Sequence, residues 1–496
     1  QLLAELPFQR GELLAQRRLG NVQHVGSLRQ AADIDDLHKV FEAAKIQGTN
    51  RLKDWAARAA HKVRLCSKTK SVFARSGQSP YCATWIAFQE FSVSTSRIAA
   101  RVKRIKPSPS SAAQDLANAL RREGRDIVNL VVGEPDFDTP AHIRRAACEA
   151  IERGETRYTM SAGTPALRQA ICDKLLRENG LSYKPGDIIV TCGAKHAIFN
   201  ALSVTLEEGH EVIVPAPYWV SYPDMTLACD GTPVVVNCRE EDGFRLQAAD
   251  LEAAITPRTR WLLLNAPTNP TGAAYAAADL RALADVLMRH PQVLLMTDDI
   301  YEHICFADGP QTHILAIEPG LRDRTVVING VSKTYAMTGW RIGYAAGPAD
   351  LIGAMETLQS QSTSNASSVS QAAALAALQG DQSFIADFLA TYRQRRDTAL
   401  ARINAISGLH CRATGGAFYL FVNCSGLIGQ STPQGQRLQT DVDVVLYLLD
   451  SVGVAMIPGS AYGVGPYFRM SIATRLEVIE EGCRRIASAV AALLPK

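Results

Sequence analysis

The stretch "TVVINGVSKTYAMTGWRIGYAAG", residues 325–347, places two apolar runs on either side of a segment rich in hydroxyls and small residues. The runs are short and consist of β-branched or small apolar residues, which is typical of buried strands. The segment between them holds one amine, Lys333, and one guanidinium, Arg341, in otherwise uncharged sequence. Polar groups between two buried strands are expected at one edge of a sheet, where open α/β sheets bind their ligands.

Similar apolar runs recur on both sides of this stretch from about residue 95 onward and alternate with helical patterns. The segment "AADLRALADVLMRH", residues 277–290, repeats its apolar residues at the helical period of 3.6. Alternating β and α units predict an α/β fold with a mainly parallel central sheet and helices on both faces. After residue 365 helical patterns dominate, and two late strand-like runs, "GAFYLFVN" and "YFRMSIAT", indicate a second, smaller α+β unit. The other strand-like runs are "DIIVTCG", "HEVIVPAP", "TPVVVNC", "RWLLLNAP" and "VLLMTDD".

The composition excludes several classes of protein. The hydrophobic fraction of 47% and the charged fraction of 20% are those of an ordinary globular protein. Residues 1–95 carry 14 lysines and arginines against 8 acids, whereas the rest carries 38 against 41, so the body is not expected to bind nucleic acid. The eleven cysteines form no C-x-x-C pair or zinc-spaced cluster, which predicts reduced thiols and no metal site. The sequence has no run of 18 apolar residues, so it predicts no membrane-spanning helix.

Polar residues follow several of the predicted strands. In "IIVTCGAKHAIF", Gly193, Ala194 and Lys195 lie between a strand and a helix, where free amides can bind an anion. The alternative is a plain strand-to-helix turn.

Two further strand ends carry an acid and an amide. Asp298, with Tyr301 three residues later, ends a strand in "MTDDIYEHI", and a buried acid there needs a cationic or protonated partner. Asn269 precedes Pro270 in "NAPTNPTG", which fixes the direction of its amide. The alternatives are a helix cap for Asp298 and a structural turn for Asn269.

Lys333 completes a set of groups that suits one cofactor. Lysines among small residues at such sites condense with the aldehyde of pyridoxal phosphate. That cofactor needs an amine for its aldehyde, amides and a cation for its phosphate, an acid for its ring nitrogen and donors for its phenolic oxygen. The residues that meet these needs, in that order, are Lys333, the Gly193 turn with Arg341, Asp298, and Asn269 with Tyr301.

From about residue 96 to the end, the chain resembles the fold-type-I aminotransferases, within them the bacterial aspartate aminotransferases and the plastid glutamate/aspartate–prephenate aminotransferases. The resemblance implies transamination with pyridoxal 5'-phosphate between aspartate or glutamate and a 2-oxo acid, with prephenate conversion to arogenate as a further activity. It also implies a homodimer with shared active sites in a bacterial cytoplasm, or in a plastid if the N-terminal extension is a transit segment. The motifs that carry the resemblance are "GEPDFDTP", "PAPYWVSYP", "NPTGAAY", "DDIYEHI", "SKTYAMTGWRIGYAAGP", "GGAFYLF" and "FRMSIAT".

The resemblance assigns a role to each site residue. Lys333 would be the catalytic amine, Asp298 would pair with the cofactor's ring nitrogen, and Trp219 would stack on its ring. Asn269 and Tyr301 would hold the phenolic oxygen. The phosphate contacts would come from Gly193, Ala194, Lys195 and Arg341, and from Tyr158 of the neighbouring subunit.

The resemblance also implies contacts to both ends of the substrate. Gly133 and Arg469 would hold the α-carboxylate, and Trp219 and Asn269 would border cofactor and substrate alike. Ser110 and Lys195 would meet the side-chain carboxylate. The departures from the family pattern are Ser110 for a usual threonine, Ala194 for a common glycine and Ile472 for a usual tyrosine.

The domain organisation follows from the pattern and the resemblance together. Residues 1–95 form an extension of unassigned role, with two candidate amphipathic helices and a basic, serine-rich stretch expected to be flexible. Residues 142–384 form the large domain, and residues 96–141 and 385–496 form the two parts of the small domain.

The sequence leaves two other functions open. The first is a different pyridoxal enzyme on the same scaffold, such as an aromatic or alanine aminotransferase or a C–S lyase. The second is a transcription regulator in which a basic head is fused to an aminotransferase-like sensor.

Overall fold

Seven of the twelve strands in the described residues form one central sheet. The computed structural model describes residues 97–307 and 312–495, and the helices and basic stretch predicted within residues 1–95 lie outside these ranges. The strand order in the central sheet is β2-β8-β7-β6-β5-β3-β4. These strands are β2 (Ile188–Thr191), β3 (Glu211–Ala216), β4 (Thr232–Asn237), β5 (Thr259–Asn265), β6 (Leu294–Asp298), β7 (Thr325–Gly330) and β8 (Gly343–Ala346).

Strand β8 is the exception to the parallel arrangement. It runs antiparallel to β2 and to β7, while the pairs β7–β6, β6–β5, β5–β3 and β3–β4 are parallel. The prediction of a mainly parallel sheet is therefore confirmed. Because β8 is reversed, it begins at the sheet edge where the parallel strands end.

Helices cover both faces of this sheet. Along β5, Leu262 and Leu264 pack into one buried cluster, whereas Trp261 and Leu263 pack into the opposite one. This alternation is the period of two of a strand that is buried on both faces. One face is covered by α3 (Ala141–Glu152), α4 (Pro165–Asn179), α7 (Ala248–Ala254), α8 (Ala277–Arg289), α9 (Ile314–Ile317) and α11 (Ser368–Gln379), and the other by α5 (Ala194–Thr205), α6 (Ser221–Ala228) and α10 (Ala349–Ser360).

The remaining elements form the smaller unit. Its antiparallel sheet has the order β11-β12-β9, and β1 pairs with β10 in parallel. The predicted late strands are thus present and adjacent. The elements are α1 (Ala100–Arg104), α2 (Pro109–Arg122), α12 (Phe384–Asn404), α13 (Asp441–Val452), α14 (Leu476–Ala491), β1 (Val128–Asn129), β9 (Tyr419–Asn423), β10 (Val454–Ala455), β11 (Ile457–Pro458) and β12 (Tyr467–Ser471).

The predicted domain boundaries lie close to the points where the chain passes from one hydrophobic core to the other. Ile143 of α3 packs into the core of the central sheet, and so does Ala377 of α11. Tyr392 and Ile403 of α12 pack into the core of the smaller unit instead. The boundaries at 141/142 and 384/385 lie one residue inside α3 and α12 and remain predictions. Among the described residues, none of the helices has the length and apolar character needed to cross a membrane.

A buried ion pair joins α4 to the segment after β6. The side chain of Lys174 is 2% exposed and pairs with Glu302, whose side chain is 11% exposed. Burial alone would raise the pKa of Glu302, but the charges of Lys174 and His303, together with the hydrogen bonds from Lys174 and Asn179, outweigh burial and lower that pKa to about 2. A carboxyl whose pKa falls on folding stabilises the fold above its unfolded pKa of about 4.3. This contribution is lost as the pH drops towards the folded value.

We therefore expect Glu302→Gln to destabilise the protein in a pH-dependent way. The loss at pH 7 should be about 3 kcal/mol, since each unit of pKa shift is worth about 1.4 kcal/mol. Urea unfolding at pH 7 and at pH 4 should show the gap to wild type shrinking in acid. Glu149→Gln, at the exposed Arg153 pair, is the control and should stay within about 0.5 kcal/mol. A gap that is the same at both pH values would contradict this account.

Candidate active site

A cavity of about 670 Å³ opens at the edge of the central sheet where the parallel strands end. Asp298 is the last residue of β6, Lys333 follows β7, and Arg341 precedes the reversed β8. The sheet therefore brings together side chains that are far apart in sequence. The predicted residues that line the cavity are Ser110, Gly133, Ala194, Lys195, Trp219, Asn269, Asp298, Tyr301, Lys333, Arg341 and Arg469.

Two predicted residues lie outside the lining of the cavity. Gly193 contacts the cavity-lining Arg341 instead. Its Cα lies so close to the guanidinium of Arg341 that a Cβ there would overlap it. Its φ of 88° also favours glycine. Tyr158 is 89% exposed on the surface.

Lys333 lies in the turn after β7 with its amine directed across the cavity. Its Nζ donates a 2.7 Å hydrogen bond to the carbonyl oxygen of Gly133 and lies 5.9 Å from the centroid of the Tyr301 ring. Burial lowers the pKa of Lys333 to about 8, although the charge of Glu134 acts in the opposite direction. A substantial fraction of this amine is therefore neutral near pH 8 and able to accept a proton.

Asp298 is buried at the end of β6, where a phenol donates a hydrogen bond to its carboxylate. The hydroxyl of Tyr222 donates to its Oδ2 at 2.6 Å, and the side chain forms no ion pair with any described residue. Burial raises the pKa of Asp298 to about 6, despite the hydrogen bond from Tyr222. A positively charged group placed against this carboxylate would remove the cost of burying it alone.

Tyr222 itself is a site residue that the sequence reasoning missed. It packs edge-on against Trp219 with ring centroids 5.3 Å apart. The available signal was the spacing in "PAPYWVSYP": two aromatic residues three apart at the start of a helix lie on one face.

The N-terminus of α5 and Arg341 form a corner suited to an oxyanion. The amides of Ala194 and Lys195 open the helix, where backbone donors have no partners within the helix. The guanidinium of Arg341 reaches the same corner, donating to the carbonyls of Thr338 at 2.9 Å and Cys192 at 3.2 Å. It forms no ion pair with a described residue, so its charge is available to a bound anion.

Arg469 is a buried guanidinium that pairs with no acid in the part of the chain that the structure describes. Its side chain donates to Asn269 Oδ1 at 3.1 Å and to the carbonyl of Val131 at 2.6 Å, and it lies over the ring of Tyr419. The residue is 2% exposed, its Nε has no hydrogen-bond partner, and no described carboxylate pairs with it. Because an unpaired buried charge is costly, we expect a bound carboxylate to pair with this guanidinium.

Asn269 and Tyr301 are held from behind by residues that the sequence did not indicate. The amide N–H of Asn269 donates to Asn265 Oδ1 at 2.9 Å. The hydroxyls of Tyr301 and Tyr419 lie 3.0 Å apart. These contacts fix the direction in which the two predicted residues present their polar atoms.

A further cation, Lys195, lies at another wall of the cavity. Lys195 Nζ lies 4.8 Å from the centroid of the Trp219 ring. Burial and the nearby Arg341 lower the pKa of Lys195. Ser110, in the first turn of α2, lines the same cavity. Ile472, by contrast, is fully buried in the core of the smaller unit and does not line the cavity.

The comparisons with known proteins agree with this geometry. The model of the family "Aminotransferase class I and II" matches residues 125–486. The chain belongs to this family. This aminotransferase is 53% identical to an aspartate aminotransferase of Rhizobium meliloti over 75% of the chain and 91% of that protein. It is 52% identical to an aspartate/prephenate aminotransferase of Cereibacter sphaeroides over 79% of the chain and 98% of that protein.

Solved structures place the aminotransferase in the same group. A crystal structure of the Rhizobium meliloti aspartate aminotransferase superposes with a TM-score of 0.79 at 51% identity, covering 80% of this chain and all of that one. The Thermus thermophilus aspartate aminotransferase with maleate gives a TM-score of 0.74 at 39% identity, covering 79% of this chain and 99% of that one. The prediction of a fold-type-I aminotransferase is confirmed.

Proposed function

We propose that this aminotransferase uses pyridoxal 5'-phosphate to exchange an amino group between aspartate or glutamate and a 2-oxo acid. The observation that carries the proposal is the buried Arg469, paired with none of the described carboxylates, in the cavity that holds Lys333 and Lys195. A dicarboxylic amino acid presents one carboxylate to each of two cations and its amine near Lys333. The names of the relatives support the same substrates.

The residues present fit the cofactor. Asp298 forms no ion pair with a described residue and would accept a hydrogen bond from the protonated ring nitrogen, while Arg341 and the first amides of α5 would hold the phosphate. Trp219 would cover the ring, and Asn269 and Tyr301 would contact its phenolic oxygen. When bound, pyridoxal phosphate withdraws electrons from the substrate Cα, so that the Cα proton can leave.

The protein's own contribution is orientation and proton transfer. Arg469 can grip the α-carboxylate through two parallel hydrogen bonds, which fixes the direction of the Cα–H bond. Lys333, whose Nζ contacts the carbonyl of Gly133, is placed beside this carboxylate site. It would take the proton from Cα and return it, which its pKa of about 8 allows near neutral pH.

The proposal includes a homodimer. Tyr158 is 89% exposed, the highest value among the large hydrophobic side chains of the described residues, and nearby Met160 is 53% exposed. A second subunit covering this surface would allow Tyr158 to reach the phosphate corner of its partner. The dimer and this contact rest on the family resemblance together with the exposure.

The test of the function is a panel of amino donors and 2-oxo-acid acceptors with purified protein and added cofactor. Aspartate and glutamate should be the best donors, with 2-oxoglutarate and oxaloacetate as acceptors. Prephenate belongs in the panel because one relative is named an aspartate aminotransferase and another an aspartate/prephenate aminotransferase. Release of a keto acid without any acceptor would point to a lyase instead and overturn the proposal.

Lys195→Ala should selectively weaken dicarboxylic substrates. Losing a hydrogen bond to a charged group costs about 1.5–3 kcal/mol, so kcat/KM for aspartate should fall about 10- to 100-fold. The backbone amide at the helix start stays in place, and kcat/KM for alanine should change by no more than about threefold. Ser110→Ala is the matched comparison and should give a smaller loss of the same selectivity. Equal losses for aspartate and alanine in the Lys195 variant would refute this assignment.

A further inference from the structure

A network of charged and polar side chains lies between helix α4 and the turn that carries Lys333. Its centre is the pair of Lys174 and Glu302, and Glu178 lies 3.4 Å from the same ammonium. Asn179 and Asn329 each donate to Glu302, at 2.9 and 2.6 Å. Both carboxylate oxygens of Glu302 thus accept hydrogen bonds, which offsets the cost of burying this acid.

His303 extends this network towards the active site. Its Nε2 lies 3.0 Å from Glu178 Oε2, and its Nδ1 lies 3.1 Å from the hydroxyl of Thr334. Thr334 is 5% exposed and directly follows Lys333 in the chain. The imidazole therefore joins helix α4 to the backbone that carries the catalytic amine.

A metal ion is not needed to explain this cluster. The ligand atoms of Glu178, Glu302 and His303 lie within 4.8 Å of one another, which is close enough to hold an ion. However, the ammonium of Lys174 contacts both carboxylates and already supplies the cation.

The backbone of the Lys333 turn is held by long hydrogen bonds. The amides of Tyr335 and Ala336 donate to Val331 and Lys333 at 3.3 and 3.4 Å, and Met337 donates to Ser332 at 3.2 Å. Ala336 also has a φ of 50°, which is unfavourable for a residue with a Cβ. Side-chain support from outside the turn therefore matters for where Lys333 lies.

We propose that His303 is a positioning residue, which acts through Thr334 to hold Lys333 in line with the substrate Cα. This inference rests on the proposed function of Lys333. A displacement of about 1 Å in a reacting group can lower a rate by about 10²-fold, whereas substrate binding depends on Arg469 and Lys195. Loss of His303 should accordingly lower kcat and leave KM nearly unchanged.

Two polar variants separate the two contacts of the imidazole. The amide of asparagine reaches the position of Nδ1, towards Thr334, and the amide of glutamine reaches that of Nε2, towards Glu178. We expect His303→Leu to lower kcat for aspartate about tenfold, with KM changed less than about twofold. His303→Asn should recover most of this loss, and His303→Gln should recover little.

A double-mutant cycle tests whether Thr334 transmits the effect. Thr334→Val should lower kcat to a similar extent, and the double variant with His303→Leu should lose no more than the worse single variant. Additive losses, or better recovery by glutamine than by asparagine, would overturn the proposal and leave His303 with a structural role through Glu178.

Hydrogen exchange gives a readout that does not depend on activity. The peptide covering residues 332–337 should exchange faster in His303→Leu than in wild type or His303→Asn. His290→Leu is the matched control, because its side chain is 24% exposed against 22% for His303 and also contacts a glutamate. It should leave exchange at this turn and kcat unchanged. Inactivity of the wild type would refute the proposed function, whereas unchanged exchange in His303→Leu would refute the positioning role.

Discussion

Lys333→Ala is expected to lower the rate of aspartate transamination by at least about 10⁴-fold. The substitution removes the attachment point of the cofactor and the proton carrier at Cα together, and the proton transfer alone is worth about 10²–10⁴-fold. Among the described residues, Lys195 is the only other lysine that lines the cavity. The ammonium of Lys195 lies against Trp219, at a different wall from the carbonyl of Gly133.

The measurement pairs initial rates with a direct map of the attachment site. Wild-type protein loaded with cofactor should be yellow, and borohydride reduction followed by peptide mapping should fix the label on Lys333. The variant should keep its urea midpoint within about 1 kcal/mol, because the side chain makes one hydrogen bond in the described structure, to Gly133. Wild-type turnover in the variant, or a label on Lys195, would falsify the assignment.

Arg469→Ala should weaken every amino-acid substrate, because each of them carries an α-carboxylate. Losing one partner of a buried charged hydrogen-bonded pair costs about 2–5 kcal/mol, which corresponds to about a 30- to 4,000-fold fall in kcat/KM. Aspartate, glutamate and alanine should lose similar factors, in contrast to the selective loss expected of Lys195→Ala. The full panel should be measured at one pH.

Arg469→Lys is the matched variant for this position. It keeps the charge but cannot present two parallel donors, so its loss should be intermediate. Both variants also remove hydrogen bonds to Asn269 and Val131, so unfolding free energies must be measured alongside. If only dicarboxylic substrates suffered, Arg469 would bind the side-chain carboxylate, and the orientation of substrate in the cavity would have to be reversed.

Taken by itself, the sequence determined the layers of the fold and the polar residues at the strand ends that line the cavity. Runs such as "RWLLLNAP" are buried on both sheet faces, so their near-continuous apolar composition indicates strands without reference to the rest of the chain. Lys333 and Asp298 could be located because they directly follow or end such strands, where parallel sheets bind ligands. Arg469 and Ser110 came from the family resemblance, since no local pattern distinguishes them.

Only the tertiary structure decided which groups meet and which remain unpaired. Tyr222 reaches Asp298 across 76 residues of sequence, and a phenol on a helix gives no local sign of its acceptor. The reversal of β8 sets Arg341 beside the amides of α5, and strand direction depends on pairing between distant segments. The lack of a described carboxylate against Arg469 and the link from His303 to Thr334 are likewise properties of packing. Burial and partnership depend on the three-dimensional surroundings of a side chain, whereas a sequence pattern reports only the face on which it lies.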